Sequence, residues 1–326
     1  MNKLLICIFS VFIFIGGFAL PFANAENIPA KLQNITVALD WYINPDHAPL
    51  LVAETHGFFK QEGLNVNFIT PTETSDPSRM VLTSQANFAI VYTPQFIAQI
   101  SSGMPLQYTS TLVNQPLNCI AVLDSSGITK LSELKGKSLG FSSDGTGFIV
   151  IDKFLNFNGL KQSDVKLINL QMNLIQPLLT GRVAAVYGMM RNVEPVQMEL
   201  MGKKVRCFYP EDNGIPQYSE LILISSKKCP SNLIDKFNSA LKKAVEYLKA
   251  HPEKSWEEVS NSKKFHEFLA PTIELSKVNQ AVWNATYKYF DNDPGNVNKK
   301  EVLMYAEFLS KNGDDDVNIK KLKSAL

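Results

Sequence analysis

Three residue types in this chain have the chemistry to hold a flat, polar small molecule. Trp41 follows an apolar run (Ile35, Val37, Leu39) and precedes a polar turn, Asn44-Pro45-Asp46-His47, that leads into a helix near Pro49. An aromatic at the carboxyl end of a strand, just before a helix, is placed where α/β folds bind ligands. Glu194 stands between Val193 and Pro195 at the mouth of a second helix after another apolar strand. One reading is a capping carboxylate that benefits from the helix dipole. The sharper reading is recognition: a carboxylate accepts two hydrogen bonds side by side, as an aminopyrimidine's exocyclic NH2 and ring nitrogen would offer them. A tyrosine, Tyr92 or Tyr187, would stack on the ring with Trp41.

Other segments end strands or start helices on the same side. They are Val91-Tyr92-Thr93-Pro94-Gln95, Pro116-Leu117-Asn118 and the loop Ser142–Gly147. Asn44, Asn118, Ser142 and Arg191 are therefore counted as ligand-binding candidates, with His47 shaping the turn or the pocket rim. The Ser142–Gly147 loop opens a helix and offers backbone N–H groups. It lacks the spacing of a phosphate-binding glycine loop and is read as a cleft wall. If Arg191 rather than Glu194 points inward, the pocket would suit an alkanesulfonate or similar anion. No Ser-His-Asp, Cys-His or paired-carboxylate constellation stands out, so no catalytic residue is expected and the chain is not read as an enzyme.

The elements that position these residues alternate. Strands are expected at Val37–Leu39, Val66–Ile69, Phe88–Val91, Ser138–Phe141, Val165–Leu170, Ala184–Tyr187, Val205–Tyr209 and Leu221–Ser225, with helices between them, one of which runs from Pro49 to Gly63. Alternation of this kind argues for α/β layers. After Pro230 the period becomes helical (Leu233, Phe237, Leu241, Val245, Leu248). Extended crossings near 116–122 and 218–225 divide the chain into two lobes around a cleft. Residues 26–118 form the first part of lobe 1, 119–221 form lobe 2, and 222–326 return to lobe 1, mostly as helix.

The first 25 residues read as a secretory signal peptide. Lys3 is followed by the apolar run Leu4–Phe18, and Ala23-Asn24-Ala25 is a small-x-small cleavage site. Cys7 lies within that run after Ile6, which argues against a lipid anchor and for a free protein of a periplasm. Removing the segment takes Lys+Arg from 32 to 31 against 31 Asp+Glu. A neutral chain lacks the basic footprint that nucleic acid requires. The remaining cysteines, Cys119, Cys207 and Cys229, form no framework, although Cys207 and Cys229 could pair. His47, His56, His251 and His266 are scattered, and Asp314-Asp315-Asp316 reads as a solvated loop. No metal site and no cofactor are expected.

Several motifs together resemble the NMT1/THI5-like proteins, and within them the substrate-binding proteins of bacterial thiamine-precursor ABC transporters. They are Leu39-Asp40-Trp41 with Asn44-Pro45-Asp46-His47-Ala48-Pro49, Gly57-Phe58-Phe59-x-x-x-Gly63-Leu64, Leu131-x-x-Leu134-Lys135-Gly136-Lys137, Gly181-Arg182-Val183-x-Ala185-Val186, and Arg191-Asn192-x-Glu194. The resemblance covers the chain beyond its leader. It implies a type II periplasmic-binding fold, a ligand related to formylaminopyrimidine or hydroxymethylpyrimidine, a permease partner, and pyrimidine contacts at Trp41 and Glu194. A binding protein of this kind works as a monomer. Fungal relatives are synthases that consume their own histidine and bound pyridoxal phosphate. Aligned on Gly103, this chain carries Val91 and Gln95 at their lysine and histidine positions, and it has no counterpart of their cysteine cluster.

Overall fold

The computed structural model describes residues 31–72, 76–142, 147–263, 265, 277–311 and 316–326. The leader, residues 143–146 of the expected cleft loop, His266 and Asp314-Asp315 lie outside those residues. Among the described residues no helix is long and apolar enough to cross a membrane, and no cluster of three or more potential metal ligands occurs.

Among the described residues ten strands form two five-stranded sheets. The first contains β1 (Gln33–Ala38), β2 (Leu64–Ile69), β3 (Phe88–Tyr92), β4 (Leu106–Val113) and β10 (Leu221–Ser226), in the order β2-β1-β3-β10-β4. The second contains β5 (Asn118–Leu123), β6 (Ser138–Phe141), β7 (Lys166–Asn169), β8 (Ala185–Met190) and β9 (Val205–Phe208), in the order β7-β6-β8-β5-β9. The two sheets share one topology. In each, three parallel strands are followed by an antiparallel strand, and that strand is the one the chain enters straight after crossing between the sheets. The chain crosses at 114–117 and returns at 209–220. The expected two-lobed α/β architecture is what forms, and the segments read as extended crossings are largely strands β5 and β10 themselves.

The central parallel strands β3 and β8 are buried on both faces, whereas the outer strand β2 alternates, with Asn65 and Asn67 exposed. Helix Ser231–Ala250 buries Leu233, Phe237, Leu241, Val245 and Leu248 along one stripe. Phe237 stacks on Phe59 at 5.1 Å and on Phe88 at 4.4 Å between ring centroids. Full burial of one such side chain stabilises by roughly 1.5–3 kcal/mol. This seats the C-terminal helices on the first lobe. The single helix expected over Pro49–Gly63 is instead two, Ala48–Thr55 and Phe58–Gln61. Gly57 adopts φ +70°, which ends the first helix and re-aims the second.

Cys119, Cys207 and Cys229 are all free thiols. The proposed meeting of Cys207 with Cys229 does not occur. Cys207 lies on β9 of the second sheet, beside β5, the strand that carries Cys119. Cys229 follows β10 of the first sheet and packs against the other core.

Candidate functional site

A cavity lies between the sheets. The first lobe contributes Asp40, Trp41 and Asn44 from the segment after β1, with Tyr92 and Pro94 from the β3 end. The second contributes Ser142 after β6, Val150, and Tyr187, Gly188, Met190, Val193 and Glu194 from β8 and the turn beyond it. The crossings supply Asn118 and Glu220. Of the residues singled out from sequence, Trp41, Asn44, Tyr92, Asn118, Ser142, Tyr187 and Glu194 share this cavity. Both candidate tyrosines line it.

His47 and Arg191 do not line the cavity. The His47 ring is buried behind the wall. Its Nδ1 accepts from the Asn44 backbone N–H at 3.1 Å, which leaves the ring proton on Nε2, 3.0 Å from Asp40 Oδ1. Tyr92 donates its hydroxyl to the other Asp40 oxygen at 2.8 Å. His47 therefore orients Asp40, and Asp40 faces the cavity in its place. Arg191 turns away from the cavity. Its guanidinium makes two parallel bonds to Glu211 (2.7 and 2.8 Å) and stacks over Tyr209 at 3.9 Å. A planar fork matched to a carboxylate and an aromatic face leaves this cation committed elsewhere. The anion pocket that an inward Arg191 would have made is absent.

Glu194 begins helix Glu194–Leu200 and accepts from the Met190 backbone N–H at 2.8 Å through Oε2. It thus caps the turn and faces the cavity at once. Burial pushes its carboxyl up to about 7, against the pull of its backbone hydrogen bonds. Asp46 adds to the shift by like-charge repulsion.

A bulge sets the second lobe's wall. The β5–β8 register shifts between Cys119 and Ile120, so that Tyr187 pairs with Ile120 and Met189 with Cys119. Gly188 is the extra residue, at φ +104°. Without it, alternate side chains would point together. With it, Tyr187 and Met190, three positions apart, both reach the cavity.

Asp40 and Glu220 were not singled out from sequence. Glu220 is fully buried and ties the two crossings together. Its Oε2 accepts from the N–H of Leu117 (2.6 Å) and Asn118 (3.0 Å) and from the Tyr218 hydroxyl (3.3 Å), while Oε1 takes the Asn118 side-chain amide. Burial raises its pKa, and these donors hold it back. The signal available in the sequence was an acidic residue directly before the apolar strand Leu221–Ser225. The described lining thus carries three carboxylates and no Lys or Arg.

A family model described as NMT1/THI5 like matches residues 44–255. A putative thiamine biosynthesis protein of Haemophilus influenzae is 35% identical over 285 residues, covering 86% of this chain and 88% of that one. A formylaminopyrimidine-binding protein of Halalkalibacterium halodurans is 27% identical over 235 residues, 71% of each chain. A 4-amino-5-hydroxymethyl-2-methylpyrimidine phosphate synthase of Saccharomyces cerevisiae is also 27% identical, over 85% of this chain and 84% of its own. Among solved structures, the alkanesulfonate-binding protein of Xanthomonas axonopodis bound to MOPS superposes with a TM-score of 0.68 at 14% identity, covering 90% of this chain and 99% of that one. A Candida albicans protein with the generic periplasmic binding protein fold gives 0.68 at 19% identity, over 90% and 96%. These likenesses establish the periplasmic-binding-protein fold, and the sequence match goes further: the chain belongs to the NMT1/THI5-like family.

Proposed function

We propose that this protein is the solute-binding component of an ABC importer and takes up a thiamine pyrimidine precursor of the formylaminopyrimidine or hydroxymethylpyrimidine type. The observation that carries the reading is the cavity lining: an aromatic face at Trp41 opposite a buried carboxylate at Glu194, with no cation among the described lining residues. Such a pocket favours a flat, neutral or cationic ligand and repels a sulfonate or nitrate. Glu194 Oε2 is partly occupied by the Met190 N–H, which leaves carboxylate lone pairs facing the cavity. A carboxyl poised near 7 pairs with an aminopyrimidine in either proton arrangement. The carboxylate accepts from a protonated ring nitrogen, or the neutral acid donates to an unprotonated one, and the exocyclic amine donates to the second oxygen in both cases.

Hinge closure about the crossings, whose ends Glu220 staples together, would wrap the two lobes around the ring. The leader would direct the protein, after cleavage behind Ala25, to a periplasm where it acts as a monomer and delivers ligand to a permease. The relatives named as a formylaminopyrimidine-binding protein and as a thiamine biosynthesis protein support this assignment.

Titration calorimetry with formylaminopyrimidine, thiamine and taurine tests it. Tight binding of the first, weaker binding of the second and none of the third is the expected pattern; taurine binding alone would reverse the assignment. The relatives that are synthases define the competing reading. Incubation with pyridoxal phosphate, read as an absorbance shift with pyrimidine product, would establish that reading instead.

A further inference from the structure

The polar groups of the cavity wall are weighted toward acceptors. Asp40, on the first lobe, is 2% exposed and lines the cavity. Each of its oxygens holds one hydrogen bond, from the His47 Nε2–H at 3.0 Å and from the Tyr92 hydroxyl at 2.8 Å. Both donors are uncharged, since the His47 ring accepts at Nδ1 from the Asn44 N–H and so carries a single proton. A carboxylate oxygen can accept two hydrogen bonds, so each Asp40 oxygen keeps a lone pair. Tyr92 has spent its proton and offers the cavity an oxygen. Asn118 is turned the same way: its amide nitrogen donates to Glu220, which leaves its carbonyl for a ligand.

The two other lining carboxylates have their partners. Glu220 takes donors from Leu117, Asn118 and Tyr218 at the crossings. Glu194 is the partner assigned to the aminopyrimidine edge. Two largely buried cations of the second lobe are held elsewhere. Arg191 is paired with Glu211, and Lys153, one turn beyond Val150 on helix Gly147–Phe157, lies 3.7 Å from Asp152. Neither lines the cavity. The surplus of negative charge is felt nearby: the Asp46 carboxyl is pushed up to about 7 by burial, with Asp40 and Glu220 adding as like charges against the pull of His47 and Asn192.

We propose that Asp40 reads a cationic arm, and that the preferred ligand is an aminopyrimidine carrying a primary ammonium group. It is the 5-aminomethyl counterpart of the formylated and hydroxymethylated compounds. This rests on the pyrimidine reading above and narrows it: the second lobe holds the ring and the first holds the arm. An ammonium brings three donors and a positive charge to a wall of acceptors. A formamide brings one N–H and a carbonyl oxygen that needs a donor of its own. A hydroxymethyl group brings one donor and no charge. Hydrogen bonds between charged partners are about twice as strong as neutral ones, a gain of roughly tenfold in affinity.

Titration calorimetry at neutral pH, with ligands that share the ring and differ only in the arm, tests this. The aminomethyl compound should bind about tenfold or more tighter than the formamide and the alcohol. Asp40→Asn keeps the shape of the side chain and should bring all of them within about twofold, with thermal melting reporting its fold. Should that variant fail to fold, Tyr92→Phe keeps the carboxylate, frees a further lone pair on it, and should preserve the preference. Equal affinities in the wild type, an unchanged preference in folded Asp40→Asn, or a preference lost in Tyr92→Phe would each overturn the proposal. A formamide that binds tightest would also overturn it, and would assign the formyl oxygen to Ser142, whose buried hydroxyl has no partner among the described residues. Those outcomes leave the pyrimidine reading standing. Binding of none of these compounds is the failure of that reading, and this proposal falls with it.

Discussion

Replacing Glu194 by Gln isolates the polar contact that the proposed ligand would depend on. The side chain is buried and its Oε2 already holds the Met190 N–H at 2.8 Å. Gln must keep that bond with its single carbonyl oxygen, because breaking it would orphan a buried N–H. Its NH2 is then turned toward the cavity, where an aminopyrimidine also presents an NH2. One charge-assisted hydrogen bond is lost and two donors face each other. The loss of a hydrogen bond to a charged group costs about 1.5–3 kcal/mol. At 1.4 kcal/mol per decade this is a weakening of roughly 10- to 100-fold. The assay is calorimetric titration with formylaminopyrimidine at neutral pH, alongside thermal melting. Burial holds the Glu194 carboxyl well above its ordinary value, so the ionised form costs the fold stability, and that cost is felt as pH rises through about 7. Gln carries no such cost. The mutant should therefore melt no lower than the parent at pH 8 while binding less well. Affinity within twofold of the parent would refute the role assigned to this carboxylate.

Three further changes probe the rest of the site. Trp41→Ala should lose about 1–3 kcal/mol of ligand stacking, read by the same titration, with little effect on the melt because Trp41 is only half-buried. Arg191→Ala should leave ligand affinity unchanged within about twofold, since its guanidinium is bound to Glu211 and Tyr209; its melting temperature should fall slightly. Gly140→Ala would place a methyl group 2.4 Å from Leu170 Cδ1 and 3.0 Å from its Cγ, inside the β6 sheet packing. The resulting overpacking should destabilise by about 1–3 kcal/mol in denaturant unfolding, with no direct contact to the cavity.

Much of the architecture was open to a reading of local pattern. Nearly every strand has a short apolar run bounded by turn residues, and the C-terminal helices keep a helical period from Leu233 to Leu248, because burial on a sheet face or along one helix stripe imposes those periods directly. The exception in the helices, the break at Gly57, depends on one backbone torsion that spacing does not encode. The cleft residues near strand ends were also accessible, since Trp41 and Glu194 follow apolar strands and Tyr92 ends one, whereas Tyr187 lies within β8, which runs on to Met190.

Local spacing therefore accounted for the lobes, the family motifs and a short set of cleft residues. Which of those residues face the cavity was a question of competition among distant partners, and only the folded chain answers it. Arg191 and Glu194 are three positions apart at the same turn. Glu211 and Tyr209, brought in after β9, draw the cation outward, and the Met190 N–H holds the carboxylate inward. His47 lost its place in the lining to Asp40, seven residues earlier, which it orients from behind. The bonds of Glu220 to Leu117 and Asn118, and the Asp46–Asn192–Thr286 contact, are not encoded in local spacing, because each joins segments far apart in the chain. Short-range order follows from which residues can be buried, whereas the direction of a polar side chain depends on which donor or acceptor the tertiary structure delivers to it.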